Sequence, residues 1–257
     1  MGCNILAVGD VCGDVGLEFL SRHLRGVLRH YGISFCVVNG ENASVKGITR
    51  NQALEIFDAG ADVITLGNHA FDKSGIYDEL DDNTRILRPA NYAPQTPGRG
   101  WQDYEAPFGT VRVINLIGRC SMQFGPDSPF FEADRILKKE PPKVVLADFH
   151  AEATSEKAAM AYYLDGRCTA LWGTHTHVQT SDARVFKNGL GFITDIGMTG
   201  AVDSIIGVKP EHSLSMFLGN TPRRQEQAEG ACKMECAVFE IDEKTGKCLS
   251  VEAIRIQ

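Results

Sequence analysis

The sequence predicts an α/β fold in which two mixed sheets stack as a sandwich beneath outer helices. Three observations carry that expectation. Short apolar runs alternate with stretches of helical periodicity, several of those runs end in polar, metal-competent residues, and residues 231–256 read as two strands joined by a hairpin.

The first run, Ile5 to Val8, leads into Gly9-Asp10. From Val15 to His30, Leu17, Leu20, Leu24, Val27 and Leu28 recur at helical spacing, so a helix follows. Phe35 to Val38 is a second apolar run ending at Asn39-Gly40-Glu41-Asn42, and Asn51 to Ala59 reads as a helix. Val63 to Leu66 leads into Gly67-Asn68-His69, Lys143 to Ala147 into Asp148-Phe149-His150, and Thr169 to Trp172 into Gly173-Thr174-His175-Thr176-His177. Four other segments suggest antiparallel strands: Thr110 to Ile117, Leu190 to Thr194, Ala231 to Ile241 and Cys248 to Ile256. The last two flank Asp242 to Lys247, whose Gly246 suits a hairpin turn. Pro89 to Gly100 reads as a surface loop, and Gly197 to Gly200 as a rim loop. With no internal repeat and no low-complexity linker, residues 1–257 are expected to form one domain.

Composition narrows the function. A hydrophobic content of 43% and a charged content of 23% are those of a globular protein. The net charge of −7 argues against a protein that coats nucleic acid, but not against a small phosphate ester, since bound cations reverse the local field. No apolar stretch is long enough to span a membrane, and the start reads as a strand, not a signal peptide; Gly2 and Cys3 are read as structural, not acylated. A cytoplasmic location is expected, with the eight scattered cysteines as reduced core thiols. Cys232 and Cys236 have knuckle-like spacing, but Cys232, Met234, Cys236 and Val238 alternate as one face of a strand.

The chemistry lies at the strand ends. In open α/β sheets ligands bind at the carboxyl edges of the strands. Five segments ending there would bring together two carboxylates (Asp10, Glu41), two amides (Asn42, Asn68) and four imidazoles (His69, His150, His175, His177). Taken singly, Asp10 is a helix cap, Gly-Asn-His a turn and His-Thr-His an exposed strand face. Together they hold four of the seven histidines, while His23, His30 and His212 read as solvated helix positions. Such a mixture of oxygen and nitrogen donors suits manganese, iron or zinc better than calcium, and it exceeds what one tetrahedral zinc needs. Two ions require a bridge, and Glu41 is the candidate. Walker, dinucleotide-binding and nucleophile-elbow motifs are absent.

These segments resemble the blocks of the calcineurin-like metallophosphoesterase superfamily, with Cys12 and Glu41 where the first two blocks usually carry His and Asp, and Thr174 inserted between Gly173 and His175. Those departures resemble the YmdB-like branch of bacterial cyclic-nucleotide phosphodiesterases, as do the runs Leu87 to Tyr92, Thr96 to Gly100, Asp148 to Lys157 and Gly197 to Gly200. The resemblance implies a four-layer α/β/β/α sandwich, the metallophosphoesterase fold, with a dinuclear centre of iron or manganese, zinc being a further option. Asp10, Glu41, Asn42 and His177 would hold one ion, and Glu41, Asn68, His150 and His175 the other. The implied activity is hydrolysis of 2′,3′- or 3′,5′-cyclic nucleotides by a metal-bridged hydroxide, with His69 as the proton donor. A phosphomonoesterase or nucleotidase on the same site, and a non-enzymatic metal or nucleotide sensor, are the alternatives. Arg99 and Arg119 are candidates for substrate phosphate, Cys12 for packing beside the first ion, and the partner is a small phosphodiester. A homo-oligomer is expected on general grounds.

Overall fold

The computed structural model describes residues 2–122, 125–220 and 225–257. Its strands are β1 (Gly2–Val8), β2 (Asp10–Val11), β3 (Ile33–Asn39), β4 (Val63–Thr65), β5 (Ile86–Leu87), β6 (Trp101–Ala106), β7 (Gly109–Ile117), β8 (Val144–His150), β9 (Ala170–Thr174), β10 (Arg184–Val185), β11 (Gly191–Ile193), β12 (Met198–Ala201), β13 (Cys232–Asp242) and β14 (Cys248–Ile256). The helices are α1 (Gly13–His30), α2 (Arg50–Ala59), α3 (Tyr77–Asp82), α4 (Pro129–Leu137), α5 (Thr154–Leu164) and α6 (Pro210–Phe217).

Two mixed sheets result. One runs β2-β12-β13-β1-β3-β4-β5, with β14 also paired to β13; the other runs β10-β11-β9-β8-β7-β6. Period-two alternation in the strands sorts their side chains into three apolar clusters, and those clusters separate four layers. Leu6, Val8, Cys36, Val38 and Ile64 face Leu17, Leu20 and Leu24 of α1 and Ile56 of α2. Their neighbours Ile5, Ala7, Phe35 and Val37 turn the other way, onto Val111, Val113, Val144, Leu146 and Trp172 of the second sheet. The outer face of that sheet (Ile114, Leu116, Val145, Phe149) packs on Ala133 and Ile136 of α4 and Met160, Ala161 and Leu164 of α5. Strands buried on both faces need unbroken apolar runs, which is why these strands were legible.

Three expectations need correction. Thr110 to Ile117 and Leu190 to Thr194 are only partly antiparallel: β7 pairs antiparallel with β6 but parallel with β8, and β11 antiparallel with β10 but parallel with β9. Most of the run Gly197 to Gly200 is strand and not rim loop: β12 lies between β13, to which it is antiparallel, and β2, to which it is parallel. His212 is half-buried, and its Nδ1 is buried without a partner. By contrast the hairpin forms with Gly246 at φ 70°. Met234, Cys236 and Val238 all enter the cluster beneath α1, as the strand reading of the cysteine pair requires.

In each sheet β1, β3 and β4, or β7, β8 and β9, run parallel. Their carboxyl ends meet. Asp148 of β8 accepts hydrogen bonds from Asn39 of β3 at 3.3 Å and Thr65 of β4 at 2.5 Å, tying one sheet to the other directly beneath the candidate site.

Candidate metal centre

All seven expected ligand residues arrive at this edge. Asp10 follows β1, Glu41 and Asn42 follow β3, Asn68 follows β4, His150 ends β8, and His175 and His177 follow β9. Asp10, Glu41 and His150 are fully buried. His150 Nε2 lies 3.0 Å from each of three atoms: Glu41 Oε1, Asn68 Oδ1 and His175 Nδ1. One ring nitrogen makes one hydrogen bond, so three such neighbours are not hydrogen-bond packing. Glu41, His150 and His175 form a possible metal-binding cluster, and the spacing approaches the edge of about 3.3 Å that a tetrahedron of ligands near 2.05 Å would have. A second donor group adjoins it. Asp10 Oδ1 is buried with no hydrogen-bond partner among the described residues and lies 3.7 Å from His177 Nε2, which has the Asn42 amide at 3.2 Å.

The ring tautomers agree with this reading. His177 Nδ1 donates to the Ile206 carbonyl at 2.9 Å, which leaves the Nε2 lone pair facing Asp10. His150 Nδ1 donates to Thr174 Oγ1 at 2.9 Å, and Thr174 in turn donates to Asp148 at 2.7 Å. The register pairs His150 with Thr174 across β8 and β9, so the threonine that separates Gly173 from His175 is the residue that aims His150. His175 Nε2 meets Glu152 at 3.2 Å, turning Nδ1 inward. Each imidazole thus spends one nitrogen on an acceptor outside the cluster and presents the other to its neighbours, the arrangement that metal-binding histidines require.

The carboxylates and imidazoles perturb one another strongly: burial acts to lower His150 and His177, but Glu41 beside the first, and Cys12 and Asp10 beside the second, outweigh it and raise both above the ordinary imidazole range. Burial pushes Asp10 up to about 6, with the imidazoles of His177 and His150 opposing a further rise. Burial also acts to raise Glu41, but His150 and His69 outweigh it and hold the carboxyl at about 2. Burial, and then the neighbouring His150, hold His175 down to about 3, so its ring is neutral. Gly67 completes the cradle: a Cβ there would collide with Glu41 and His150. The loop itself is strained, with His175 at φ 98° and His177 at φ 63°, at a cost of about 1–3 kcal/mol each. It is held by Asp10, which accepts from His175 N, and by Asp195, which accepts from Thr176 N, both at 3.2 Å. Lys157 Nζ, itself buried, lies 2.7 Å from Asp195.

His69 stands beside this centre and is not buried within it. Its backbone N–H donates to Glu41 Oε2 at 3.1 Å, and Nδ1 pairs with Asp72 at 2.8 Å. A cavity of about 450 Å³ opens against Asn68 and Asp72, walled by Phe71, Asn91, Tyr92 and Asp127. Of the two candidate arginines, Arg119 is exposed and its backbone N–H donates to Glu156, while Arg99 lines a neighbouring cavity. Cys12 is buried with Sγ 3.5 Å from His177 Nδ1, so it packs beside the second donor group.

The YmdB-like protein family model matches residues 6–254. The chain belongs to the YmdB-like family. A Bacillus subtilis protein named 2′,3′-cyclic-nucleotide 2′-phosphodiesterase is 41% identical, across 98% of this chain and 97% of its own length. A hypothetical protein from Thermus thermophilus superposes with a TM-score of 0.93 at 37% identity, covering 98% of each chain. A Mycoplasma pneumoniae structure described as a novel phosphatase gives 0.94 at 31% identity, covering 100% of this chain and 94% of the other. This YmdB-like chain is therefore an enzyme of the metallophosphoesterase class. The residues around its metal-competent cluster that sequence reading missed are Asp72, Thr174, Asp148, Glu152, Lys157 and Asp195. Only Asp72 carried a local signal, as an acid three residues after His69. No helix among the described residues is long and apolar enough to cross a membrane.

Proposed function

We propose that this chain is a dinuclear phosphodiesterase acting on cyclic nucleotides, above all 2′,3′-cyclic ones. Asp10, Glu41, Asn42 and His177 would hold one ion and Glu41, Asn68, His150 and His175 the other, with iron or manganese favoured by the mixed oxygen and nitrogen donors. The observation that carries the reading is that His150 and His177 each present Nε2 to a buried carboxylate, Glu41 at 3.0 Å and Asp10 at 3.7 Å, while His175 Nδ1 joins the first pair. Ions bound there supply Lewis-acid activation of water and offset charge on the phosphoryl oxygens.

The chain's own groups do the rest. Glu41 Oε1 lies 3.0 Å from His150 and accepts from the Asn42 amide at 3.1 Å, between the two donor groups, and Oε2 accepts from the His69 N–H at 3.1 Å, bracing the turn that carries His69. The Asp72 carboxylate holds Nδ1 of His69, leaving Nε2 to deliver a proton to the departing ribose oxygen. Water adds hydroxyl to phosphorus, one P–O bond to the ribose breaks, the freed ribose oxygen takes the proton from His69, and the cyclic diester becomes a monoester. The Phe71 and Tyr92 rings, 5.7 Å apart, offer an apolar wall for the nucleoside. The name of the Bacillus relative supports the 2′,3′ isomer.

The test is turnover of adenosine 2′,3′- and 3′,5′-cyclic phosphates, bis-p-nitrophenyl phosphate and p-nitrophenyl phosphate by manganese-loaded protein. His69→Ala is expected to lower kcat on the cyclic nucleotides about 10²–10⁴-fold. It should cost far less on bis-p-nitrophenyl phosphate, whose leaving group needs no proton. Preference for the monoester over every diester would overturn the reading.

A further inference from the structure

Beyond the nucleoside cavity the surface opens into a second cavity, of about 420 Å³, that the reaction above does not use. The two share Asn91, Tyr92 and Asp127 as common walls. The second is lined by three arginines, Arg88, Arg99 and Arg135, against two acids, Asp127 and Glu132. Glu132 is already engaged by Arg135 through two hydrogen bonds of 2.7 and 2.5 Å. What remains is Arg88 and Arg99 facing the exposed Asp127, a basic surface on a chain whose net charge is −7.

Arg88 is the unusual member. Only 6% of it is exposed, and among the described residues its buried Nε has no hydrogen-bond partner. Nη1 is satisfied by the carbonyls of Pro89 and Ala90 at 2.8 and 3.3 Å. A buried guanidinium with an idle N–H is costly unless something charged faces it, and the planar fork matches phosphate oxygens. Arg99 is adjacent by construction, since the Arg88 N–H donates to the Arg99 carbonyl at 3.0 Å. Among the described residues its own guanidinium donates to one carbonyl, that of Asp81 at 3.1 Å.

We propose that Arg88 and Arg99 form a second phosphate-binding subsite, taking the phosphate on the 5′ oxygen of the nucleotide whose cyclic phosphate lies at the metal centre. The proposal rests on the phosphodiesterase reading. A nucleoside in the first cavity, with its 2′ and 3′ oxygens toward Asn68 and His69, has its 5′ oxygen as the remaining ribose hydroxyl, and the second cavity continues past the shared wall. Asp127, on that wall, suits a donor on the ribose or base. The favoured substrate would then carry two phosphates: either a 5′-phosphorylated mononucleotide or the 3′ end of a short oligonucleotide closed as a 2′,3′-cyclic phosphate.

The experiment compares kcat/KM of manganese-loaded protein on adenosine 2′,3′-cyclic phosphate, on the same compound bearing a 5′-phosphate, and on the dinucleotide ApA ending in a 2′,3′-cyclic phosphate. Wild type is expected to favour at least one of the two extended substrates about tenfold or more, mainly through KM. A gain with the 5′-phosphate alone identifies a mononucleotide site, and a gain with the dinucleotide identifies an RNA end. Arg99→Gln should reduce the gain several-fold and Arg88→Gln should bring it close to one. Because the readout is a ratio between substrates, general loss of activity does not mimic it. If Arg88→Gln does not fold, Arg88→Lys, which keeps the charge without the fork, should retain only part of the gain. Turnover of the plain cyclic nucleotide with no gain in wild type, or a gain unchanged in the arginine variants, overturns the subsite and leaves the phosphodiesterase standing. Absence of turnover on all three with metal bound removes both.

Discussion

Replacing Lys157 by Met should destabilise the protein by about 3 kcal/mol. The ammonium lies 2.7 Å from Asp195 Oδ2, and both side chains are 1% exposed. Met fills a similar volume but leaves a buried carboxylate without its counter-charge, a change that costs roughly 3–5 kcal/mol in comparable pairs. The lower end applies because Asp195 keeps two backbone donors, Thr176 N at 3.2 Å and Gly197 N at 2.9 Å. The double variant Lys157→Met/Asp195→Asn, neutral at both positions, should recover all but about 1–2 kcal/mol. Urea unfolding of chelator-treated wild type, the two single variants Lys157→Met and Asp195→Asn, and the double variant measures these values without metal linkage. A functional consequence accompanies them. Asp195 holds the peptide between His175 and His177, so the single variant should also bind manganese about tenfold more weakly. A loss below about 1 kcal/mol in the single variant, or additive losses in the double, would refute the account of Lys157 as the counter-charge beneath the loop.

Three further outcomes are expected. Asp72→Asn should lower kcat on cyclic nucleotides about 10- to 100-fold while metal content, read by elemental analysis, stays at the wild-type level, because among the described residues the carboxylate's hydrogen bond is to His69 Nδ1 and not to the metal-competent cluster. Glu152→Gln should weaken metal binding about 10- to 100-fold by loosening the tautomer of His175, and competition with a chromophoric chelator would show it. The Asp182 carboxyl is held below its usual range: burial opposes this, but hydrogen bonds from Thr180 and Thr194 outweigh it. Its contribution is therefore present above about pH 4 and lost as pH falls, so the difference in Tm between wild type and Asp182→Asn should shrink from pH 7 to pH 3.5; a difference independent of pH would contradict that assignment.

The sheets and the principal donors were legible because one physical cause wrote both: a strand buried on two faces must be continuously apolar, and the polar residue that ends it stands out. Ile5–Val8, Val63–Leu66 and Thr169–Trp172 show this directly. What stayed hidden depends on partners distant in sequence. Met198–Ala201 carries no strand pattern, and its pairing is set by Asp10–Val11 and Cys232–Met234. Thr174 resembles an insertion in a histidine motif until the register places it opposite His150. Lys157 reads as an ordinary residue in the first turn of a helix, and only tertiary packing buries it against Asp195. Arg88 sits in a loop-like run, yet it is more deeply buried than either arginine singled out from the sequence.

The placement of β12 also imposes an order of events on synthesis. Asp10 is locked only when Met198, made much later, pairs beside it, and β1 finds its antiparallel neighbour only with Cys236–Asp242. At about 5–20 residues per second, the N-terminal strand waits roughly ten to forty-five seconds for the segment that completes its sheet. During that interval Asp10, Glu41 and Asn68 are tethered but unassembled, and His175 and His177 are the last of the donors to emerge. Until His177 has emerged the nascent chain holds an incomplete set of these side chains, and the sheet that carries Asp10 and Glu41 is not closed until β13 and β14 follow.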